Sequence, residues 1–344
     1  MKTEQNRRAF IRTTALAAAG IGIGVNTFAE GLLPKTILAG TKVGIIGLDT
    51  SHVVAFTKAL NSPNAGPEFG GFKVVAAYPY GSKEIKSSFE RIPGYIEDVK
   101  KLGVEITDSI AGLLDKVDFV LLETNDGRLH LEQALQVIKA GKRFFIDKPI
   151  AASLADAGAI FAAAKKANVE VFSSSSLRFT PGAQELAAGK LGKVLGAETY
   201  SPCSLEPSHP DLFWYGIHGV ESLYTVMGTG CKQVVRVSTP DTDVVTGIWE
   251  GGRVGTFRGT RSGKYGFGGT VYAEKGTSSI GEYGGYNPLL VRIIDFFKTG
   301  IVPVKPEETL EILAFMEAAD ESKRKGGIPI TLASIYSKSL PNGF

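Results

Sequence analysis

The chain has 344 residues, 43% of them hydrophobic and 21% charged, with two cysteines and a formal net charge of +3. At about 100 to 200 residues per domain this predicts two domains and excludes a disordered, fibrous or collagen-like chain. Cys203 and Cys231 are too few for a disulfide framework and lack the CxxC spacing of a metal site, and the sequence leaves open whether they pair.

Residues 1–29 predict an export signal. Asn6-Arg7-Arg8-Ala9-Phe10-Ile11-Arg12 sets two adjacent arginines before an aromatic and an aliphatic residue, an Ala/Gly-rich apolar stretch runs from Ala15 to Val25, and Thr27-Phe28-Ala29 offers a small-x-small cleavage site. Those 11 apolar residues fall well short of the roughly 20 that span a bilayer, so the segment reads as a twin-arginine signal and not an anchor. The protein is accordingly expected in the exported, periplasmic space. Removing Lys2, Glu4, Arg7, Arg8 and Arg12 with the signal leaves a mature chain of zero formal charge, which gives no support to nucleic-acid binding.

The mature chain opens on Thr41 to Gly47, an apolar run ending in glycine, as a buried parallel strand does. Val53 to Leu60 has helical spacing, Phe72 to Tyr78 is a second strand, and Val117 to Leu122 a third. His130 to Ala140 is helical, Arg143 to Ile146 a strand, Leu154 to Ala167 an Ala-rich helix and Glu170 to Ser173 a strand. Alternation of strand and helix predicts a Rossmann-like parallel sheet with right-handed crossovers over 41–175. From Lys193 the pattern changes: Val194 to Tyr200, Gln233 to Ser238, Val244 to Trp249, Arg253 to Gly259 and Gly269 to Ala273 are strand-like and closely spaced. They predict an α/β domain over 176–344 with a large, open, mostly antiparallel sheet. Leu289 to Lys298 and Glu307 to Lys325 read as helices and Ile328 to Tyr336 as a closing strand.

A strand running through a glycine turn into a helix is where a dinucleotide pyrophosphate binds, on free N–H groups and the positive end of the helix dipole. Here the turn is Gly47-Leu48-Asp49-Thr50-Ser51-His52. Of GxGxxG only the first glycine remains, Asp49 places a carboxylate where bare backbone is usual, and His52 replaces the packing glycine. The second strand ends in Tyr78-Pro79-Tyr80-Gly81-Ser82-Lys83, without the acid that binds an adenosine ribose. Ser82 and Lys83 suit a ribose 2′-phosphate, a lean towards NADP over NAD. Lys148 follows a buried strand and precedes a proline, facing the crevice where open parallel sheets bind ligands, and desolvation there is expected to lower its pKa. Asp49, His52, Glu123, Asp126 and His130 lie near strand ends but without ligand spacing, so no metal is expected.

Four segments resemble the Gfo/Idh/MocA oxidoreductases. Residues 140–151, AGKRFFIDKPIA, are similar to that family's AGKxVxxEKPxA, and 124–140, TNDGRLHLEQALQVIKA, to its TPNxxHxxxAxxA. Arg178-Phe179-Thr180-Pro181 matches RFxP, and Gly216-Ile217-His218-Gly219-Val220-Glu221 is similar to GxHxxD. The resemblance implies Lys148 and His218 as proton-transfer residues and Asp147, Lys148 and Pro149 as part of the nicotinamide pocket. With the turn residues and Ser82 and Lys83, Thr124, Asn125, His130 and Arg178 complete the implied coenzyme set. The family's acid four residues before the histidine is here Trp214, and Trp214, Tyr215 and Glu221 are the implied substrate contacts. The expected function is oxidoreduction of a sugar, polyol or sugar derivative with tightly held NAD or NADP. A redox-neutral glycosidase or epimerase using the same coenzyme, and a non-catalytic carbohydrate-binding or scaffold protein, are the alternatives. A homodimer or homotetramer through the open sheet is implied, with no nucleic-acid or membrane partner.

Overall fold

The computed structural model describes residues 40–264 and 266–341; the signal read over 1–29 lies outside them. Strands β1 (Lys42–Ile46), β2 (Lys73–Tyr78), β3 (Glu105–Ile106), β4 (Phe119–Leu122), β5 (Arg143–Ile146) and β6 (Val171–Ser173) pair throughout in parallel. Their spatial order, β3-β2-β1-β4-β5-β6, reverses between β1 and β4. That reversal opens a crevice at the carboxyl ends of the strands. The near-continuous apolar runs seen in the sequence arise because both faces are covered: every residue of β4 and β5 is buried.

The second sheet contains β7 (Val194–Pro202), β8 (Cys231–Ser238), β9 (Thr242–Trp249), β10 (Val254–Thr260), β11 (Gly268–Ala273), β12 (Gly276–Ser279) and β13 (Ile330–Thr331). The spatial order is β12-β11-β7-β10-β9-β8-β13, and every pairing is antiparallel except β7 with β10. One face packs on the helices Ile217–Met227 and Pro306–Arg324, while the other leaves Tyr200, Val237, Val254 and Tyr272 exposed.

One expectation needs correction, and one open question is answered. The segment Ile328 to Tyr336 is a strand only at β13; Leu332–Ser339 is a helix. Thr331 Oγ1 accepts the Ser334 N–H at 3.3 Å and caps it, and Leu332 and Ile335 are buried with helical spacing. Cys203 and Cys231 are both free, and burial raises each thiol to about 12.

The described residues fall within one compact unit, and one helix shows how the two sheets are tied together. Helix Asn287–Thr299, from the second half of the chain, buries Leu289, Leu290, Ile293, Ile294, Phe296 and Phe297 in the cluster that includes Val43, Ile45, Phe119, Phe145 and Phe172. Phe297 stacks on Phe119 with centroids 4.8 Å apart. At the end of that helix the Arg143 Nη1 group donates to the carbonyls of Phe296 and Phe297 at 3.3 and 2.6 Å, placing a buried cation on the negative end of the helix. Phe297→Ala is expected to cost about 3 to 5 kcal/mol of stability, read from the shift of a urea midpoint at constant slope. A loss under about 1 kcal/mol would show that the helix does not anchor the first sheet.

Candidate active site in the strand-end crevice

A cleft of about 580 Å³ opens at the switch point, lined on one side by Thr50, Ser51, His52, Asn125 and Arg91 and on the other by Trp214, Tyr215 and His218. Asp147 and Lys148 form part of its wall, and Phe267, Tyr283 and Tyr286 complete the side facing the second sheet. Trp214 and Tyr215, read from the sequence as substrate contacts, line this cleft. A second hollow of about 770 Å³ lies beyond the tip of β2, bordered by Tyr80, Ser82, Lys83, Asp108, Asp126 and Arg128.

The glycine turn keeps one glycine for a steric reason. Gly47 has φ +86°, and a Cβ there would meet Thr124 at 2.5 Å. Asp49 is fully buried; its Oδ1 accepts the Asn125 N–H at 3.0 Å, and its Oδ2 has no hydrogen-bond partner. A Cβ on Gly81 would collide with that Oδ2, so the carboxyl sits between the β2 tip and the loop after β4. The seam continues with the Asn125 side chain donating to Ser88 Oγ at 2.9 Å and Arg128 donating to Glu84 at 2.9 Å. Burial raises Asp49 to about 7, against the lowering effect of the Asn125 bond. Near neutral pH the carboxyl is thus partly protonated, a donor and not a fixed negative charge.

His52, Glu123 and Asp147 meet at the floor. His52 Nδ1 lies 3.3 Å from Glu123 Oε2 and 3.2 Å from Asp147 Oδ1, with all three side chains at most 5% exposed. Burial alone would lower the His52 pKa, but the Asp147 and Glu123 carboxylates outweigh it and raise it to about 10. Burial raises Glu123; it also acts to raise Asp147, where His52 and Lys148 prevail and hold the carboxyl low.

Lys148 corrects an expectation. Burial does act to lower its pKa, but Asp147, with Oδ2 3.4 Å from Nζ, reverses the balance and the pKa is raised. It is a permanent cation at neutral pH. His218 is the complement: burial first, then the Lys148 charge, lowers it well below 6.5, so its imidazole is neutral. Its Nδ1 lies 2.8 Å from Ser175 Oγ, leaving Nε2 for a ligand. Ser175 is held in turn by Glu221, whose Oε2 accepts the Ser175 N–H at 2.7 Å while Oε1 accepts from Arg178 Nε at 2.8 Å.

Three of the implied ligand contacts, Glu221, Arg178 and His130, are instead engaged within the protein. Glu221 and Arg178 are buried against each other and away from the cleft lining, so they support Ser175 and contact neither substrate nor coenzyme there. His130 is buried at the start of its helix, with Nε2 2.6 Å from Thr124 O and Nδ1 3.1 Å from both Pro149 O and Ile150 O. It clasps the loops after β4 and β5 together, and Pro149 contributes through that carbonyl. Thr124 is buried against Gly47; Ser82 is buried and Lys83 exposed at the second hollow. Ser175 and Arg91 were missed: no motif carried them, and only tertiary packing brings them to the site.

The residues can be tested against a dinucleotide. Thr50 makes no capping bond to the Ser51–Asn61 helix and its buried hydroxyl is unpartnered, leaving that hydroxyl and the first helical amides for an anion, with Arg91 on the same cleft wall. Asn125 borders the first hollow and Asp126 the second, so the two lie on either side of the Asp49–Asn125 seam.

Residues 41–175 match the profile of the Gfo/Idh/MocA oxidoreductase family, NAD-binding Rossmann fold. Over this segment the chain is similar to that family. An uncharacterized oxidoreductase of Streptococcus pneumoniae serotype 4 is 29% identical over 157 residues, which are 43% of this chain and 42% of that protein. The 1,5-anhydro-D-fructose reductase of Ensifer adhaerens is 33% identical over 95 residues, 26% of this chain and 28% of the reductase. The chain thus spans less than half the length of either curated relative. Among solved structures, scyllo-inositol dehydrogenase of Lactobacillus casei with bound NAD(H) and scyllo-inositol superposes with TM-score 0.69 at 16% identity, covering 86% of this chain and 99% of that one. GenD2 from gentamicin A biosynthesis, in complex with NAD, gives 0.67 at 18%, covering 88% and 99%. At these identities the superpositions establish the fold alone.

Proposed function

We propose that the chain is an NAD(P)-dependent oxidoreductase acting on a sugar, polyol or sugar derivative. The observation that carries this reading is the pairing, across one cleft, of a neutral imidazole at His218 with a charged ammonium at Lys148. In the tautomer that donates Nδ1–H to Ser175, His218 presents a basic Nε2 and takes the proton of a substrate hydroxyl. Lys148 holds the same oxygen and stabilises the negative charge that develops on it. Bound NAD(P) supplies the hydride acceptor. Trp214 and Tyr215 offer aromatic faces to the C–H side of a pyranose or cyclitol. Lys83, exposed at the second hollow, supports NADP.

The test is to denature the purified protein and look for nicotinamide absorbance in the supernatant, then titrate the coenzyme-free protein with NAD and NADP. Expected is retained or saturably bound coenzyme near one per chain. Folded protein that holds none and binds neither would overturn the reading. Ser175→Ala is expected to lower kcat roughly tenfold to a hundredfold with KM little changed, because His218 loses its orienting partner and not a substrate contact. An equal rise in KM would instead place Ser175 in binding.

The exposed face of the second sheet, with Tyr200, Val237, Val254 and Tyr272, is proposed as the contact of a homodimer or homotetramer, and Val237→Lys with light scattering tests it. Export through the twin-arginine route rests on Arg7 and Arg8; replacing both with lysine is expected to retain the protein in the cytoplasmic fraction.

A further inference from the structure

The floor of the cleft is built like a cation site. His52 is the second residue of the Ser51–Asn61 helix, and Glu123 and Asp147 follow β4 and β5 directly. Their backbones are fixed by continued parallel pairing, Glu123 N–H to Ile46 O at 2.7 Å and Asp147 N–H to Leu122 O at 2.8 Å. Three rigid elements therefore aim one imidazole nitrogen and two carboxylates at one point, with the three donor atoms all within 4.8 Å of one another.

The separations fit a bound ion. Metal bonds of about 2.0 to 2.2 Å to nitrogen and oxygen put neighbouring ligand atoms about 3.0 to 3.4 Å apart in octahedral or tetrahedral coordination. His52 Nδ1 stands 3.3 and 3.2 Å from its two carboxylate neighbours. Hydrogen bonding does not account for the cluster as well. Glu123 Oε1 is buried without a hydrogen-bond partner, and the single Nδ1–H of His52, lying 3.3 and 3.2 Å from two carboxylates, could serve only one of them well. Burying a carboxylate oxygen without a partner is costly, and a cation between the three groups offsets that cost.

We propose that His52, Glu123 and Asp147 bind one first-row divalent cation, such as Mn²⁺ or Zn²⁺, at the floor of the cleft. One nitrogen and two oxygens are the mixed donor set such ions accept. Three protein ligands leave coordination positions open, the pattern of a site that takes substrate and not of a closed structural site. His52 and Asp147 line the cleft, so the open positions face the space between Lys148 and His218, where adjacent hydroxyls of a polyol could chelate the ion. The same three residues give a reason for a carboxyl group at Glu123 that is fully buried at the end of β4.

The experiment uses the mature protein stripped with a chelator and titrated with Mn²⁺ alone, then Zn²⁺ alone, by calorimetry and by loss of the free Mn²⁺ paramagnetic signal. Expected is one ion per chain, with Glu123→Gln weakening it roughly a hundredfold and abolishing the rise in Tm that the ion gives the parent protein. His52→Ala provides a second variant, and circular dichroism confirms that each is folded. No saturable binding of either ion to folded parent protein, or unchanged affinity in folded Glu123→Gln, would overturn the proposal. Because the ion is titrated without coenzyme, the result is separate from success or failure of the NAD(P) reading.

Discussion

Replacing Lys148 with methionine is expected to reduce turnover by about 100- to 10,000-fold while leaving coenzyme binding within a few-fold of the parent. The reasoning is electrostatic. Lys148 is buried to 10% side-chain exposure and sits beside Asp147, so in the proposed substrate complex it would meet a developing alkoxide in a site with little water to screen it. Methionine keeps the length and removes only the charge. His218→Gln should lose activity to a similar degree for a different reason, the absence of a proton acceptor. The two defects are not expected to add, because a single proton transfer uses both groups. The pH profile separates them further. Since His218 is held neutral to well below pH 6.5, activity should not fall as the pH is lowered through that value. A profile losing activity near 6.5 in the parent, or a Lys148→Met variant with full turnover, would sink this assignment.

The second large effect concerns Asp49. Its carboxyl is neutral below about 7 and charged above it, and it stands at the seam between the two hollows that the proposed coenzyme would span. Coenzyme affinity should therefore be flat in mild acid and fall by about tenfold per pH unit above that value, as expected when binding requires a proton that solution removes. Asp49→Asn cannot ionise and should bind with little dependence on pH. The stability of the free protein carries the same sign. An acid whose pKa is raised on folding penalises the folded state as pH rises from about 4, its unfolded value, to about 7, and Asp49→Asn removes that penalty. Titration of parent and variant at about pH 6 and about pH 8.5 decides the matter; parallel affinities in the two proteins at both values would show that Asp49 does not gate the crevice.

What the sequence revealed and what it hid divide along physical lines. Strands β4 and β5 were legible because burial on both faces forces an unbroken apolar run, and helix Leu154–Ala167 because Ser153 caps it and Ala fills it. The end of the chain was not, since Leu332 to Ser339 is short and its mixture of apolar and polar residues suits either state until Thr331 caps the helix. At the site, Lys148 and His218 lie in motif segments, and the fold brings them to one cleft with Trp214 and Tyr215. The direction of the Lys148 shift was misread because desolvation was weighed without Asp147, its neighbour in sequence. Glu221 and Arg178 were assigned to ligands because a conserved-looking motif does not say which way a buried ion pair faces. The triad of His52, Glu123 and Asp147 has no sequence spacing at all; only the closeness of three strand and helix ends creates it.

Helix Asn287–Thr299 gives the molecule a particular biosynthetic burden. A polypeptide interrupted anywhere before Leu289 would display a wall of bare aromatic rings on its first sheet, a client for chaperones and not a finished unit. The nucleotide-type half cannot be harvested by cutting after Ser175, and melting should proceed as one event in which both sheets are lost together.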